Sequence, residues 1–512
     1  MIKKIGINLK YKFISLLLIL FLIVHVMGFL SELNSRNVIQ FYTIIVIQFL
    51  IEIFIIFQSS IFLWTISNYN NYEDPKLADQ IEDYPEIDVM IAIRYVEPEI
   101  LKKTLVGFNN TNYPNEKLNI YLADDTPDDK LSNIYKELAV EYSANYYYNP
   151  LNKMYKAGIL NLLLNETNSE YVAFFDYDHI PKPDILEKMI KVLIQNPNKS
   201  FVQAKKQFGN YNKYYMNWAS LLYIIYFEIL QKIKQNTGTV MFAGSTACFR
   251  REAIESVGGF PENTFTEDVA LATKLLVNGR SGLFVNFYGS YGTVPNTFEE
   301  HISQLWRWSH GGAQVLKTQW MSVIKSKKLN LGQKLNILSL FAITPSIFMY
   351  YIYSFSFIPL FLERIDPPRM TIFGFSSLIL IPIIPTIVYL ALINLTLIEK
   401  NNELTTNRIY ILVKYLIIGL STIILICKGT ILGLIGLRGP NSSKGDWNYK
   451  ENTYLISIIS CIVGVLLIVF SLDIIIDGIY SALMLFIVGF SLLPVLPIVI
   501  YQNIMRAKAI DF

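Results

Sequence analysis

Long apolar segments bracket a polar-mixed middle, and this arrangement constrains the fold more than any single motif. Segments 13–30 and 38–66 are each apolar enough to span roughly 30 Å of hydrocarbon at about 1.5 Å per residue. Further apolar segments able to span lie at roughly 335–362, 371–397, 453–473 and 478–501. Lys3, Lys4, Lys10 and Lys12 precede the first segment, and a second follows at once with no small-residue cleavage site between them. Both are expected to be retained helices, with the amino terminus on the positive, cytoplasmic side. Composition agrees, since 52% of the 512 residues are hydrophobic and 17% are charged, against about 25% charged in ordinary soluble domains. A formal net charge of +3 speaks against a nucleic-acid partner. Cys248, Cys427 and Cys461 form neither a disulfide framework nor a metal-ligand spacing.

Segment 409–436 is apolar, yet basic residues flank it on both sides: Lys400 and Arg408 before, Arg438, Lys444 and Lys450 after. Counting positive charge wants it to enter and return, or to lie at the interface. Lys414, Lys428 and the glycines Gly419, Gly429, Gly433 and Gly436 suit a broken or interfacial helix. The expected count is six spans, with a seventh as the alternative.

The middle alternates apolar runs with helical patterns. "IDVMIAIR", "LNIYLAD", "YVAFFDYD" and "FVQAKKQF" read as strands, and 99–109 and 184–195 read as helices. Such alternation predicts an α/β domain with a mostly parallel sheet, whose ligands bind beyond the carboxyl ends of the strands. Asp124-Asp125 and Asp176-Tyr-Asp178 close two of these runs. A carboxylate pair such as Asp176 and Asp178 can hold Mg²⁺ or Mn²⁺, with a nucleotide diphosphate completing the oxygen shell. His179 follows directly, either touching that metal or serving as a structural imidazole. Asp124 or Asp125 can bind a nucleotide or seat the metal; the alternative is a helix cap.

Three further motifs carry chemistry. Lys156 precedes Ala-Gly158 and a helical pattern, which suits contact with a diphosphate. Asp268 ends Thr266-Glu267-Asp268 and opens a helix. Facing a hydroxyl, it can act as a general base. The helix terminus would keep it charged and weaken it, whereas Glu267 or burial would raise its pKa. In Gln304-Leu-Trp-Arg307-Trp308, Arg307 can pair with a diphosphate and Trp308 offers a flat face to a sugar ring. The surrounding stretch, 296–333, interleaves Trp306, Trp308 and Trp320 with basic residues, as helices in a membrane interface do.

In order and spacing these motifs resemble the processive, inverting glycosyltransferases of the cellulose synthase and hyaluronan synthase type, over about residues 87–315. "YVEP" at 95–98 looks like the family's Y-N-E-P segment, with Val96 in place of Asn and Arg94 in place of a usual Thr. The resemblance implies an α/β GT-A (Rossmann-like) catalytic domain inserted between transmembrane helices. It implies nucleotide-sugar contacts from Tyr95, Glu97, Asp124 or Asp125, and Lys156, with Thr266 and Glu267 at the substrate. Asp176 and Asp178 would hold the metal and diphosphate, Asp268 would be the base, and Gln304, Arg307 and Trp308 would frame acceptor and donor. Residues 438–452 occupy the place of a loop that closes over the donor.

The expected organisation is therefore two membrane helices in 1–70, a cytoplasmic catalytic domain in 71–295, interface helices in 296–333 and a membrane region in 334–512. The expected protein is a multi-pass plasma-membrane enzyme, most simply UDP-sugar dependent, that extends a polysaccharide and passes it through the bilayer, with room for accessory secretion proteins. Addition of one sugar to a lipid, and a non-enzymatic transporter, are the competing expectations. His25 and Glu52 stand out as ionisable groups inside apolar segments.

Overall fold

The computed structural model describes residues 2–33, 42–67, 72–150, 155–208, 222–295, 298–362, 371–372, 375–376, 423–436, 453–476, 489, 492–493 and 497. The middle of the chain is an eight-stranded sheet of order β3-β2-β1-β4-β7-β6-β8-β5. Its strands are β1 (Ile87–Ile93), β2 (Leu118–Asp124), β3 (Asn145–Tyr148), β4 (Tyr171–Asp176), β5 (Ile180–Pro181), β6 (Phe201–Phe208), β7 (Ala247–Arg250) and β8 (Gly282–Gly292). The first half is parallel: β1 lies between β2 and β4, and β2 pairs β3. The second half is mixed, because β7 runs antiparallel to both β4 and β6 while β6 and β8 are parallel. The expectation of a mostly parallel sheet therefore holds only for the half that carries Asp124 and Asp176. The four strands read from apolar runs are β1, β2, β4 and β6.

Helices cover both faces, which is why β1 is buried almost without alternation. On one face pack α3 (Pro98–Asn109), α4 (Asp129–Glu141) and α6 (Ile185–Gln195), through Leu101, Phe108, Tyr135, Met189 and Leu193. On the other lie α5 (Tyr155–Glu166) and α9 (Glu267–Val277), through Leu160, Leu163, Leu271 and Leu275. A π-helical turn, Ile225–Leu230, runs into α7 (Gln231–Thr237), and α8 (Arg251–Glu255) follows β7.

Beyond the sheet, α10 (Phe298–Lys325) is one long helix across the stretch expected to hold interface helices. Next come α11 (Leu331–Phe341), α12 (Ile343–Phe355) and α13 (Ile358–Leu362). α1 (Ile2–Leu33) and α2 (Tyr42–Ile66) lie side by side. Gln48 donates to Ser356 Oγ at 2.8 Å and Gln58 to the Ser339 carbonyl at 3.0 Å, tying α2 to α11 and α12. Glu52, buried on α2, accepts from the Tyr353 hydroxyl, so it is a packed group.

Among the described residues one helix, Val46–Ile66, is long and apolar enough to cross a membrane. The pair α11 and α12, bent by 55° at its junction, passes the same test together. Residues 371–372 and 375–376 form a two-stranded hairpin, β9 and β10, where a span was expected to begin. The rest of that segment, most of 478–501 and the loop 438–452 lie outside the described residues. Of the suspected re-entrant segment, α14 (Ile423–Ile435) is described, and it packs along α10; α15 (Thr453–Ile476) follows.

Candidate active site

The site begins at the carboxyl edge of β1, β2 and β4. Their register sets Ile93 opposite Asp124 and Ala92 opposite Asp176, so both acids leave the sheet at one edge. Asp124 is fully buried, and its two oxygens accept from the Thr126 N–H at 2.8 Å and the Tyr146 hydroxyl at 2.6 Å. Asp125 is buried too, 3.1 Å from the Arg94 guanidinium. The helix cap that was the alternative for this pair is Asp128, which accepts from Lys130 and Leu131. Tyr95, with φ of 50°, and Glu97, ahead of α3, remain exposed along the same edge.

Asp176 is the electrostatic centre. The Lys156 ammonium donates to it at 2.6 Å, His179 Nδ1 lies at 3.3 Å and Lys206 Nζ at 3.9 Å. Burial works to raise its pKa, but Lys156, His179 and Lys206 together overcome that and hold the carboxyl well below its ordinary range. Lys156, expected to contact a diphosphate, also donates to the Gly244 carbonyl at 2.9 Å. Asp178 accepts from Thr293 at 3.0 Å.

Asp176, Asp178 and His179 present ligand atoms within 4.8 Å of one another. Two carboxylates and one imidazole fit a divalent cation such as Mg²⁺ or Mn²⁺. Burial lowers the His179 pKa, which favours the neutral imidazole that a metal ligand must be. The structural role suspected for His179 is present as well. Its Nδ1 lies 2.6 Å from Ser245 Oγ, and a Cβ on Gly292 would fall 2.3 Å from its Cδ2.

Asp268 sits in the first turn of α9, its Oδ1 accepting from the Val269 N–H at 2.8 Å. Its Oδ2 would lie 3.0 Å from a Cβ on Gly244, which holds φ of 76°. The absence of a side chain there lets Asp268 reach the backbone that Lys156 binds. Burial raises the pKa of Asp268, and burial together with Asp268 pushes Glu267 up to about 7. Burial therefore outweighs the helix terminus in the competition read from sequence. Thr266 occupies the cap position without a side-chain cap bond.

Gln304, Arg307 and Trp308 share one face of α10, as an i, i+3, i+4 spacing requires. Gln304 donates to the Tyr223 hydroxyl, and Tyr223 stands edge-on to Trp308 at 5.5 Å. Arg307 Nε has no hydrogen-bond partner among the described residues. Asp178 and Arg307 both act on Tyr177 and Tyr223, and Asp176, Asp178 and Asp268 all act on Lys206. Asp176 and Asp178 after β4 and Asp268 on α9 thus act on one lysine, and Arg307 acts on the same tyrosines as Asp178.

Reading the sequence missed Lys206, Ser245 and Tyr223. Lys206 had a signal: adjacent lysines in a buried strand need partners on both faces. Lys206 finds Asp176 and the Ala243 carbonyl, while Lys205 finds Glu228 at 2.8 Å. Ser245 and Tyr223 had none, since their roles come from a bend before β7 and from the helical residues ahead of the π-helical turn, which tertiary packing brings to the site.

A mixed sheet with metal-compatible acids at its strand ends is the architecture of an α/β domain of the GT-A type. Its fold matches that of a mannosyltransferase from Pyrobaculum calidifontis in complex with GDP-Man and Mn²⁺, with a TM-score of 0.52 at 15% identity, covering 76% of this chain and 99% of that one. Residues 171–395 match the model for glycosyl transferase family group 2. The chain is 27% identical over 278 residues to cellulose synthase 1 of Komagataeibacter xylinus, 52% of this chain and 18% of that protein. It is 27% identical over 333 residues to the probable glucomannan 4-beta-mannosyltransferase 15 of Arabidopsis thaliana, 63% of this chain and 57% of that one. The chain is thus similar to the cellulose synthase-like family 2 glycosyltransferases.

Proposed function

We propose that this protein transfers sugars processively, with inversion, from a nucleotide-sugar to the end of a β-linked polysaccharide and passes the product across the plasma membrane. The observation that carries this reading is that Asp176, Asp178 and Asp268 all act on Lys206, while Arg307 acts on the same tyrosines as Asp178. Tyr95 and Glu97, with Asp124 and Asp125 behind them, take the nucleotide. Arg307 takes the diphosphate bidentately. A divalent cation held by Asp176, Asp178 and His179, when bound, offsets charge on the leaving diphosphate. Trp308 and Tyr223 present aromatic surface to the acceptor sugar. Asp268 takes the acceptor hydroxyl's proton as oxygen attacks the anomeric carbon. A raised pKa makes it a stronger base than an exposed aspartate. The catalytic domain faces the cytoplasm, and six spans, with α14 lying against α10, surround the exit path.

The test uses purified full-length protein in nanodiscs with Mn²⁺ and UDP-glucose, UDP-N-acetylglucosamine or GDP-mannose. Nucleotide release with a product many sugars long is expected from one donor. A product carrying a single sugar refutes processivity, and release from no donor refutes the enzyme reading.

A further inference from the structure

α9, which carries the Asp268 carboxylate, rides along α10, which carries Gln304, Arg307 and Trp308. The two helices touch through side chains at a constant spacing in sequence. Gln314 Oε1 accepts from the Phe265 N–H at 3.2 Å, Gln319 Nε2 donates to the Ala270 carbonyl at 3.2 Å, and Ser326 Oγ donates to the Val277 carbonyl at 2.7 Å, each pair 49 residues apart. A fixed offset means the helices run parallel and in register, over about 18 Å at 1.5 Å per residue. At the leading end the approach is closest. A Cβ on Gly311 would fall 2.5 Å from Thr266 Cγ2 and 2.9 Å from the Thr266 backbone nitrogen.

The opposite face of α10 is backed by α14. A Cβ on Gly429 would fall 2.9 Å from the Trp306 carbonyl, and one on Gly433 would fall 2.4 Å from the His310 carbonyl. Lys317 donates to the Ile435 carbonyl at 3.0 Å. α10 is thus held from behind while its front face carries both the Arg307–Trp308 pair and the contacts to α9. Two turns separate Arg307 from Gln314, so both belong to one rigid stretch of helix.

We infer that Gln314 is a positioning residue for the catalytic base, fixing the height of Asp268 relative to Arg307 and Trp308. Gln314 supplies a side-chain acceptor to Phe265, the residue before the Thr-Glu-Asp segment and three ahead of Asp268. Without it that bond is lost and the start of α9 is held less firmly against α10 than its trailing end, where the Gln319 and Ser326 bonds remain. Gln314 is not among the residues assigned above to donor or acceptor, so its loss is expected to act on turnover rather than on donor binding. This inference rests on the glycosyltransferase reading.

The experiment compares Gln314→Leu, Gln314→Glu, Gly311→Ala and Ser326→Ala with wild type in nanodiscs, using Mn²⁺ and the donor that wild type accepts. Gln314→Leu is expected to lower kcat tenfold or more with donor KM within twofold, and Gln314→Glu, which keeps an acceptor, to restore most of it. Gly311→Ala is expected to show the same split. Ser326→Ala, at the trailing end, is expected to lower the melting temperature but leave kcat within twofold. A Gln314→Leu kcat within twofold of wild type, or parallel losses in Gln314→Leu and Ser326→Ala, overturns the inference. Hydrogen exchange of the peptide 262–272 supplies an arm that needs no turnover: faster exchange confined to it in Gln314→Leu is expected, and unchanged exchange overturns the inference. Wild type releasing nucleotide from no donor would sink the enzyme reading, while the exchange arm still decides whether Gln314 holds this segment.

Discussion

Gly244→Ala tests whether the approach of Asp268 to the backbone under Lys156 matters for turnover. Two effects combine at this position. The φ of 76° is left-handed, which costs an L-residue about 1–2 kcal/mol. The new Cβ would also stand 3.0 Å from Asp268 Oδ2. Ordinary contact begins near 3.4 Å, so the carboxylate retreats by a few tenths of an ångström. If a 1 Å misplacement costs about 10²-fold, such a retreat costs roughly five- to tenfold in kcat. Gly258 isolates the two effects, because its φ is 73° and the nearest atom to its Cβ is Lys274 Nζ at 3.9 Å. Gly244→Ala and Gly258→Ala should lose similar thermal stability. Only Gly244→Ala should lose kcat, with donor KM nearly unchanged. Equal kcat in the two variants would refute the claim that Gly244 makes room for the base.

Asp268→Asn is expected to keep donor binding, measured by calorimetry with the nucleotide diphosphate, and to lose about 10²–10⁴-fold in turnover; polymerisation at the wild-type rate would refute the assignment. Chelation by EDTA should stop nucleotide release, and titrated Mn²⁺ should restore it; unchanged release in EDTA would exclude a working cation at Asp176, Asp178 and His179. Activity should rise with pH as Glu267 and Asp268 deprotonate, Glu267 at about 7. Glu267→Gln removes the neighbouring charge and should move the acid limb to lower pH; a fixed limb would show that Asp268 titrates independently. Stability has the opposite sign. Both folded pKa values are raised, so their contribution is full below the unfolded values and is lost as pH rises from 4.5 through about 7, by the Glu267 values. Denaturant midpoints across that range should fall; a rise would contradict burial as the cause.

Charge around Asp176 is arranged unevenly. Lys206, buried, and Lys156, mostly buried, stand against Asp176 at the sheet edge. Isolated buried ammonium groups are costly, and Asp176 is the charge that offsets them. Burial lowers the Lys206 pKa despite Asp176, whereas Lys156 is raised by Asp176, then Glu267, in spite of burial. The closer bond explains the difference, 2.6 Å against 3.9 Å. Arg307 is placed differently, on α10, its Nε buried without a hydrogen-bond partner among the described residues. A ligand carrying two phosphates would give it one.

What could be read ahead of the structure divides along physical lines. β1, β2 and β4 were legible because strands buried on both faces leave nearly unbroken apolar runs, β6 because apolar residues open and close it around Lys205 and Lys206, and Asp124 and Asp176 because each ends such a run. β3, with "NYYY", and the bulged β8, with "GLFVNFYGSYG", lack that signature. β7 was hidden because "ACFR" is short and its direction is set by the partners on either side. Within the site, the acids and the Gln304–Trp308 motif could be named, since chemistry limits which residue types serve. Their partners could not. Lys156 is 20 residues from Asp176 and Gly244 is 24 from Asp268, and those distances are closed by chain reversals that no local pattern encodes. The same reason hides Gln314: a glutamine on a helix says nothing of itself, and its meaning lies in the parallel register of α9 against α10, which only tertiary packing sets.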